Sequence, residues 1–344
     1  MKMLLISTPI YQLSKTGLMS YGGLEHLVSI WAMEMHRLGH QMSVVCPEGS
    51  DLGEGIEIIP IGLREPEDAA YMKYKDRLQD FDCVMDNSWA WCSIQSQMEA
   101  DRQLPIIHCY HSDPDFLEVP PPSIDKLCIV AFSNAQANII RRRWNVACPV
   151  VHHGIDLNFY KPDPKVKRGN RYLWMARCTP EKGFLEVAYL AKKCHVPLDA
   201  FGSLDSIASQ DYVRKCLEES DDRQIKMNLV ALPREQTVKE YQRHKALITW
   251  PNYVEIFGLT TVEAMACGTP VISKDSGAAS ELIEQGKTGF VVGSLEEAEE
   301  LIRTDAVSRI SPEACRRQAM KFSIERSAKG HLRLLDDVAH GLYW

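Results

Sequence analysis

The chain has little that would mark it for a membrane, for nucleic acid or for a disulfide scaffold. No run approaches the roughly 18 apolar residues that a membrane span requires. Lys and Arg number 39 against 46 Asp and Glu, and the net charge of −7 gives no electrostatic footprint for nucleic acid. The 11 cysteines include no Cys-x-x-Cys pair, so we expect reduced thiols that act as small core hydrophobes.

Two common nucleotide-binding signatures are also missing. The sequence contains neither the dinucleotide pattern Gly-x-Gly-x-x-Gly nor a complete P-loop, and it has no internal repeats or low-complexity tracts. The first apolar run is too short for a secretory signal, and we expect a cytoplasmic protein. At 344 residues the chain is long enough for two domains, each with its own core.

Buried-strand runs alternate with helical patterns along the chain. One helix is predicted at about 23–38, and two close the chain over 312–339. Such alternation predicts an α/β fold with two Rossmann-like, doubly wound parallel sheets covered by helices. The strand runs are 3–7, 41–46, 56–60, 83–86, 105–108 and 127–132, then 171–175, 198–201, 227–231, 246–250 and 271–273.

The most informative stretch runs from Glu255 to Ile272. Glu255 stands in a turn before Gly258, and Glu263 stands one turn inside the following predicted helix. Free backbone N–H groups at a helix start attract phosphate, so two carboxylates that flank such a start suit a ligand with a diphosphate between hydroxylated rings. This arrangement is typical of a nucleotide-sugar site, although two solvated glutamates at an ordinary loop-to-helix junction have the same spacing.

The stretch resembles the retaining glycosyltransferases of family four, which have the GT-B fold. Its Glu-Ile-Phe-Gly-Leu-Thr-Thr-Val-Glu-Ala-Met-Ala-Cys-Gly-Thr-Pro-Val sequence follows that family's pattern almost residue for residue. A second segment, Met175 to Gly183, resembles the family's Gly-Arg-Leu-x-x-x-Lys-Gly, with Ala176 in place of the glycine. The resemblance implies domains at 1–157 and 158–322 facing across a cleft, and a final helix at 323–344 that returns to the first domain.

The resemblance also implies roles for individual residues. Arg177 and Lys182 would neutralise the diphosphate, Glu255 would bind the hydroxyls of the transferred sugar, and Glu263 would bind the ribose. His111 aligns with a family histidine that lies against the donor sugar, so the expected catalytic group is His111, Glu255, Arg177 and Lys182. The further donor-binding positions are Gly22, Gly23, Gly202, Leu232, Phe257, Gly258, Leu259 and Thr260.

The implied reaction is sugar transfer from a UDP- or GDP-linked donor to a hydroxyl acceptor with retention, and it needs neither a cofactor nor a metal. His108 and His111 are too few ligands for a zinc site, which would require further ligands nearby. Two alternatives of other classes stay open: a non-catalytic nucleotide-sugar-binding scaffold, and an epimerase or phosphorylase on the same fold. The cluster Arg141, Arg142 and Arg143 could touch a membrane surface, but a solvated helix face is the favoured interpretation.

Overall fold

The computed structural model describes residues 1–16, 23–92, 104–112, 128–204 and 209–344. Two compact units divide the chain. Unit 1 comprises Met1–Gly154 together with Ile324–Trp344, and unit 2 comprises Ile155–Ser323. None of the helices in the described segments combines the length and the apolar composition that a bilayer span requires.

Unit 1 is built on a six-stranded parallel sheet in the order β3-β2-β1-β4-β5-β6. Strands β1, β4 and β5 at its centre are almost wholly buried, as expected for a parallel sheet that is covered on both faces. Their uninterrupted apolar runs are what made them visible in the sequence. The strands are β1 Lys2–Ile6, β2 Gln41–Pro47, β3 Ile56–Ile61, β4 Cys83–Asp86, β5 Ile106–Cys109 and β6 Ile129–Val130.

The described helices of unit 1 are α1 Gly23–Arg37, α2 Glu67–Tyr71, α3 Asn134–Trp144 and the C-terminal helix Ile324–Ala339. The C-terminal helix packs along α1, where Trp31 Nε1 donates a hydrogen bond of 2.9 Å to Ser327 Oγ. The ring of His331 lies edge-on to the Trp31 ring, with 4.8 Å between the centroids. The last segment of the chain is therefore part of the same core as the first strand and helix.

Unit 2 repeats the architecture with a sheet in the order β12-β11-β10-β7-β8-β9. Trp174 on β7 and Phe184 on the following helix are fully buried, with 5.1 Å between their ring centroids. The strands are β7 Tyr172–Arg177, β8 Leu198–Ser203, β9 Ile225–Asn228, β10 Leu247–Thr249, β11 Val271–Lys274 and β12 Gly289–Val292. The helices are α4 Phe184–Cys194, α5 Gln210–Glu219, α6 Arg234–Arg243, α7 Leu259–Ala266, α8 Ala279–Leu282, α9 Leu295–Arg303 and α10 Pro312–Ala319.

The predicted α/β class with two parallel sheets is confirmed, and the strand boundaries differ in three places. The run at 227–231 was placed too late: β9 ends at Asn228, where its partner β8 is also ending, and Val230 is 45% exposed. In the run at 127–132 only Ile129–Val130 forms a strand among the described residues. Strand β12 was not predicted as a strand, because its short Gly-Phe-Val-Val sequence is only partly buried at the sheet edge.

Candidate functional site

The carboxyl edge of the unit 2 sheet holds the residues that the sequence singled out. Arg177 and Ser203 are paired at the ends of β7 and β8, and the loop with Glu255 follows β10. Ligands of doubly wound sheets bind outside the carboxyl ends of the strands, so this edge is the expected location of a binding site. Arg177, Lys182, Gly202, Glu255 and the start of α7 all belong to it.

Two glycines with left-handed backbone let these loops approach one another. A Cβ on Gly183 (φ +66°) would lie 1.9 Å from the Trp250 carbonyl oxygen, and a Cβ on Gly277 (φ +55°) would lie 1.9 Å from that of Glu255. The Glu255 carbonyl also accepts a hydrogen bond of 2.9 Å from the amide of Ala278. The backbone of the Glu255 loop therefore packs directly against the Gly277 turn. Any larger residue at position 277 would displace this loop.

Lys182 and Glu255 form the centre of the site, although 73 positions separate them in the sequence. Lys182 Nζ lies 3.2 Å from Glu255 Oε2, and the side chains are 19% and 25% exposed. Tyr253 joins the pair: its hydroxyl accepts a hydrogen bond from Lys182 Nζ and donates one to Glu255 Oε2. The ammonium group also lies 4.3 Å from the centroid of the Tyr253 ring. A cation and a carboxylate are thus held side by side at the edge of the sheet.

Tyr253 was not identified from the sequence. Burial raises the pKa of its phenol well above the usual value, and the neighbouring Glu255 carboxylate raises it further, so Tyr253 stays protonated and can donate. Its position two residues before Glu255 in an extended loop gave no periodic or motif signal. The one clue was its proximity to a glutamate that the motif had already marked.

Arg177 is the second cation of the same loop. The loop turns through the short helical segment Pro180–Lys182, and Trp174 Nε1 donates a hydrogen bond of 3.1 Å to the carbonyl of Lys182. Arg177 Nη2 lies 3.7 Å from Glu181 Oε1, and its side chain is 32% exposed. Arg177 and Lys182 therefore supply two partly exposed positive charges at one sheet edge.

Helix α7 begins directly after Gly258, whose φ of +96° ends the preceding loop. The first amides that bond back onto this helix belong to Thr261 and Val262, which donate to the Gly258 carbonyl. The amides of Leu259 and Thr260 precede them and have no acceptor within the helix. The start of α7 consequently carries partial positive charge beside Glu255 and favours an anionic group.

Glu263 lies in the second turn of α7, and its carboxylate is hydrogen-bonded to two tyrosine side chains. Tyr241 donates a hydrogen bond of 3.0 Å to Glu263 Oε2, and Tyr160 also hydrogen-bonds to this carboxylate. Burial, followed by the Glu263 charge, raises the pKa of both phenols well above their usual value. The Tyr160 hydroxyl in turn accepts a hydrogen bond of 2.7 Å from Arg234 Nη2. None of these three supporting residues was predicted, because only the tertiary fold brings them to Glu263.

Gly202 and Leu232 lie at the neighbouring end of the same edge. Gly202 is the penultimate residue of β8, where a Cβ would come within 2.8 Å of Met227 Cε and 3.2 Å of Cys178 Cβ. Leu232 stands half-buried in the loop between β9 and α6. Gly202 is paired with Ala176, the residue before Arg177, and the contacts of Gly202 and Leu232 with a ligand stay a prediction.

His111 belongs to unit 1 and follows β5. Its ring packs against Phe132, with 4.5 Å between the centroids, and its Nε2 lies 2.9 Å from Asn87 Oδ1. Burial lowers the pKa of His111 well below the usual value, and repulsion from His108 and His331 lowers it further, so the ring is neutral. A neutral imidazole can accept a hydrogen bond as well as donate one.

The predicted glycine loop of unit 1 is described only from Gly23, the first residue of α1, and Gly22 lies outside the described residues. Glu25 of the same motif is buried, accepts a hydrogen bond of 2.6 Å from Thr8 Oγ1 and has a pKa raised by burial. It ties the start of α1 to the end of β1. The three arginines 141–143 occupy the exposed last turn of α3, where the helix dipole favours cations.

Comparison with known proteins assigns unit 2. Residues 159–321 match the family model of glycosyl transferases group 1. This part of the chain is similar to the group 1 glycosyltransferases. The match contains Arg177, Lys182, Glu255 and Glu263, and solved glycosyltransferases share the two-sheet GT-B fold of the whole chain. The resemblance to family-four GT-B enzymes drawn from the sequence is thereby confirmed.

Curated relatives match over part of their length. The chain aligns with a probable sucrose-phosphate synthase from Thermosipho melanesiensis at 33% identity, over 36% of this chain and 30% of that one. A D-inositol 3-phosphate glycosyltransferase from Mycobacterium leprae is 26% identical over 60% of this chain and 56% of its own. The chain therefore spans about a third to a half of the length of these relatives.

Among solved structures, Anabaena Alr3699/HepE in complex with UDP-glucose has a TM-score of 0.73 at 19% identity. The alignment covers 98% of this chain and 100% of that one. At this identity the likeness shows a shared fold across both units.

Proposed function

We propose that the protein transfers a sugar from a nucleoside diphosphate sugar to a hydroxyl acceptor, with retention of configuration at the anomeric carbon. The observation that carries this proposal is the contact of Lys182 with Glu255 beside the start of α7. This small region suits a sugar phosphate. The cation and the helix amides supply positive charge for the phosphate, and the carboxylate accepts hydrogen bonds from the sugar hydroxyls.

The phosphate end is supplied by Arg177, Lys182 and the amides of Leu259 and Thr260. These groups neutralise a diphosphate and stabilise the charge that builds up as it leaves. Glu255 then faces the sugar attached to that diphosphate, because its carboxylate lies only 3.2 Å from the Lys182 ammonium. The carboxylate accepts hydrogen bonds from sugar hydroxyls, which orients the anomeric carbon.

The nucleoside end lies toward Glu263. Its carboxylate is oriented by Tyr241 and Tyr160, and a carboxylate has lone pairs for about four hydrogen bonds, so acceptor capacity is left for the two ribose hydroxyls. The base would then lie near Gly202 and Leu232. For unit 1 we propose binding of the acceptor, with Gly22, Gly23 and His111.

The bonds and protons balance without a protein nucleophile or a metal. The bond between the anomeric carbon and the phosphate oxygen breaks, the acceptor oxygen bonds to the same face of that carbon, and the departing phosphate takes the acceptor proton. The products are a glycoside and a nucleoside diphosphate. The residues of the site hold the phosphate, neutralise its charge and orient the sugar. We place this reaction in the cytoplasm.

UDP-glucose is the first donor to test, because the structural neighbour from Anabaena was solved with it. Thermal-shift measurements should compare UDP, GDP, ADP and their sugars, since a ligand at about 100 times its dissociation constant adds roughly 2.7 kcal/mol of stability. Turnover is then followed with a panel of hydroxyl acceptors, and NMR of the product reports the anomeric configuration. We expect release of one nucleoside diphosphate per glycoside formed, with retention.

The matched variants are Lys182→Ala and Lys287→Ala. Lys287 is an exposed cation that precedes β12, at the opposite edge of the sheet, so only Lys182→Ala should weaken donor binding. Donor binding with no turnover on any acceptor would instead support the scaffold alternative. Conversion of the donor without an acceptor would support an epimerase, and dependence on inorganic phosphate would support a phosphorylase.

A further inference from the structure

Asn87 is a buried polar residue of unit 1. It belongs to none of the sequence motifs and has no role in the proposed reaction. It follows β4 directly and is 1% exposed. Its backbone amide continues the sheet by donating a hydrogen bond of 3.0 Å to the Ile6 carbonyl. Its side chain faces the ring of His111.

The orientation of the Asn87 amide follows from its neighbours. Nδ2 lies 3.0 Å from the Ile6 carbonyl oxygen and 3.3 Å from that of Met85. Carbonyl oxygens only accept hydrogen bonds, so the atom that faces both of them is the NH₂ group. The reversed amide would bring its oxygen against two other oxygens at these distances. The backbone therefore sets Oδ1 toward His111.

This orientation decides the tautomer of His111. Asn87 Oδ1 is an acceptor 2.9 Å from His111 Nε2, so Nε2 must carry the hydrogen. A neutral imidazole has one N–H, which leaves the lone pair on Nδ1. The ring is kept in place by Phe132, by Trp31 at 6.0 Å and by His153 at 5.6 Å between centroids.

The groups that face His111 keep it neutral. Burial lowers the pKa of His153 well below its usual value and that of His331 to about 4, so both rings are neutral and place no charge beside His111. His108 Nδ1 is 3.8 Å from Asp86 Oδ2, and this carboxylate is fully buried. The side chain of Asn87 accepts the hydrogen bond from the His111 ring.

We propose that Asn87 is a positioning residue that locks His111 in the Nε2–H tautomer, so that His111 presents Nδ1 as an acceptor to a substrate hydroxyl. The second half of this inference rests on the proposed transferase function. The chemical consequence is selective: a hydroxyl can donate to Nδ1, whereas a phosphate oxygen or a carbonyl oxygen cannot. His111 would thus align a substrate hydroxyl, and it would not bind a phosphate group.

The first test needs no substrate. In protein labelled with ¹⁵N-histidine, the ring signals of His111 are those that disappear in His111→Gln. We expect a protonated Nε2 and an unprotonated Nδ1 at neutral pH. A proton on Nδ1, or on both nitrogens, would overturn the inference. Because this experiment uses the unmodified protein without ligands, its result does not depend on whether transfer is observed.

The second test uses two variants and measures kinetics. Asn87→Leu removes the acceptor and frees the tautomer, and we expect kcat/KM to fall roughly tenfold, the size of one lost hydrogen bond. Asn87→Asp places a carboxylate beside the ring, which raises the pKa of His111. The rate should then decrease as the pH falls through that raised pKa, because Nδ1 becomes protonated.

Asn170→Asp is the matched control, since Asn170 is exposed before β7, and it should keep the wild-type profile. Thermal unfolding of each variant shows whether it folds. A folded Asn87→Asp protein with the wild-type pH profile and the wild-type tautomer would refute the positioning role. Absence of transfer in the wild-type protein would refute only the proposed function, because the tautomer would still have been measured.

Discussion

The first prediction separates the proposed roles of Glu255, which would bind the sugar, and Glu263, which would bind the nucleoside. Alanine at position 255 should abolish most sugar transfer and leave the affinity for a free nucleoside diphosphate nearly unchanged. Alanine at position 263 should weaken the nucleoside diphosphate itself. The reason is that Glu255 stands beside the cation Lys182, at the sugar end, whereas Glu263 stands in the second turn of α7, held by Tyr241.

The magnitudes follow from the contacts. A hydrogen bond to a charged group contributes about 1.5–3 kcal/mol, so loss of one corresponds to roughly a ten- to hundredfold change. Glu263→Ala should raise the dissociation constant of UDP by this factor. Glu255→Ala should lower kcat/KM by at least this factor, but it also frees Lys182 from its carboxylate partner, so UDP should bind as well as before or slightly more tightly.

The two variants should also differ in stability. Removal of the Glu263 carboxylate leaves the buried Tyr241 hydroxyl without its acceptor, which costs about 1–3 kcal/mol. At roughly 2–4 °C per kcal/mol for a unit of this size, the melting temperature should drop by several degrees. Glu255→Ala should have a smaller effect, because Lys182 and Tyr253 remain hydrogen-bonded to each other. Glu263→Gln, which keeps an acceptor oxygen, should recover much of the lost stability.

The assay pairs calorimetric titration with UDP and initial rates with the nucleotide sugar. Glu296→Ala serves as the control, because Glu296 is a carboxylate in the first turn of α9 and belongs to no part of the site. Equal losses of UDP affinity in the Glu255 and Glu263 variants would refute the assignment of the two residues to opposite ends of the ligand. Unchanged transfer in Glu255→Ala would refute the role of Glu255.

Three further predictions concern the same two units. Tyr253→Phe keeps the ring beside Lys182 but removes the hydroxyl between Lys182 and Glu255. We expect kcat/KM to fall roughly tenfold, with little change in UDP affinity. Unaltered kinetics would contradict the bridging role of the hydroxyl. Exhaustive chelation should leave transfer intact, because Arg177, Lys182 and the start of α7 already supply positive charge; complete loss that magnesium or manganese restores would contradict this. Burial lowers the pKa of His331 to about 4 from 6.5, so the unfolded chain binds more protons, and stability should fall between pH 6.5 and 4 by up to about 3 kcal/mol. Denaturant titrations across that range should show a shallower fall for His331→Phe, and parallel slopes would exclude His331 as the source.

Much of the fold was predictable from local sequence. Parallel strands buried on both faces produce uninterrupted apolar runs, and eleven such runs were located, most within one or two residues of the observed strands. The start of α7 was equally visible, because Gly258, the flanking glutamates and the apolar helix that follows lie within a dozen positions. Periodicity and turn chemistry act over such short distances. Two of the three differences fall at the sheet edges formed by β9 and β12, where burial is incomplete.

The sequence by itself thus predicted the strand and helix pattern and the resemblance to family-four enzymes, and it singled out Arg177, Lys182, Glu255 and Glu263 as candidate site residues. Only the tertiary structure shows which side chains orient them. Tyr253 hydrogen-bonds to both Lys182 and Glu255, and Tyr241 hydrogen-bonds to Glu263. The tautomer proposed for His111 likewise depends on the Asn87 amide, which the sheet brings to the Ile6 carbonyl from 81 positions away. Such contacts depend on which strands become neighbours and on where each loop is packed, and neither is encoded in local residue spacing.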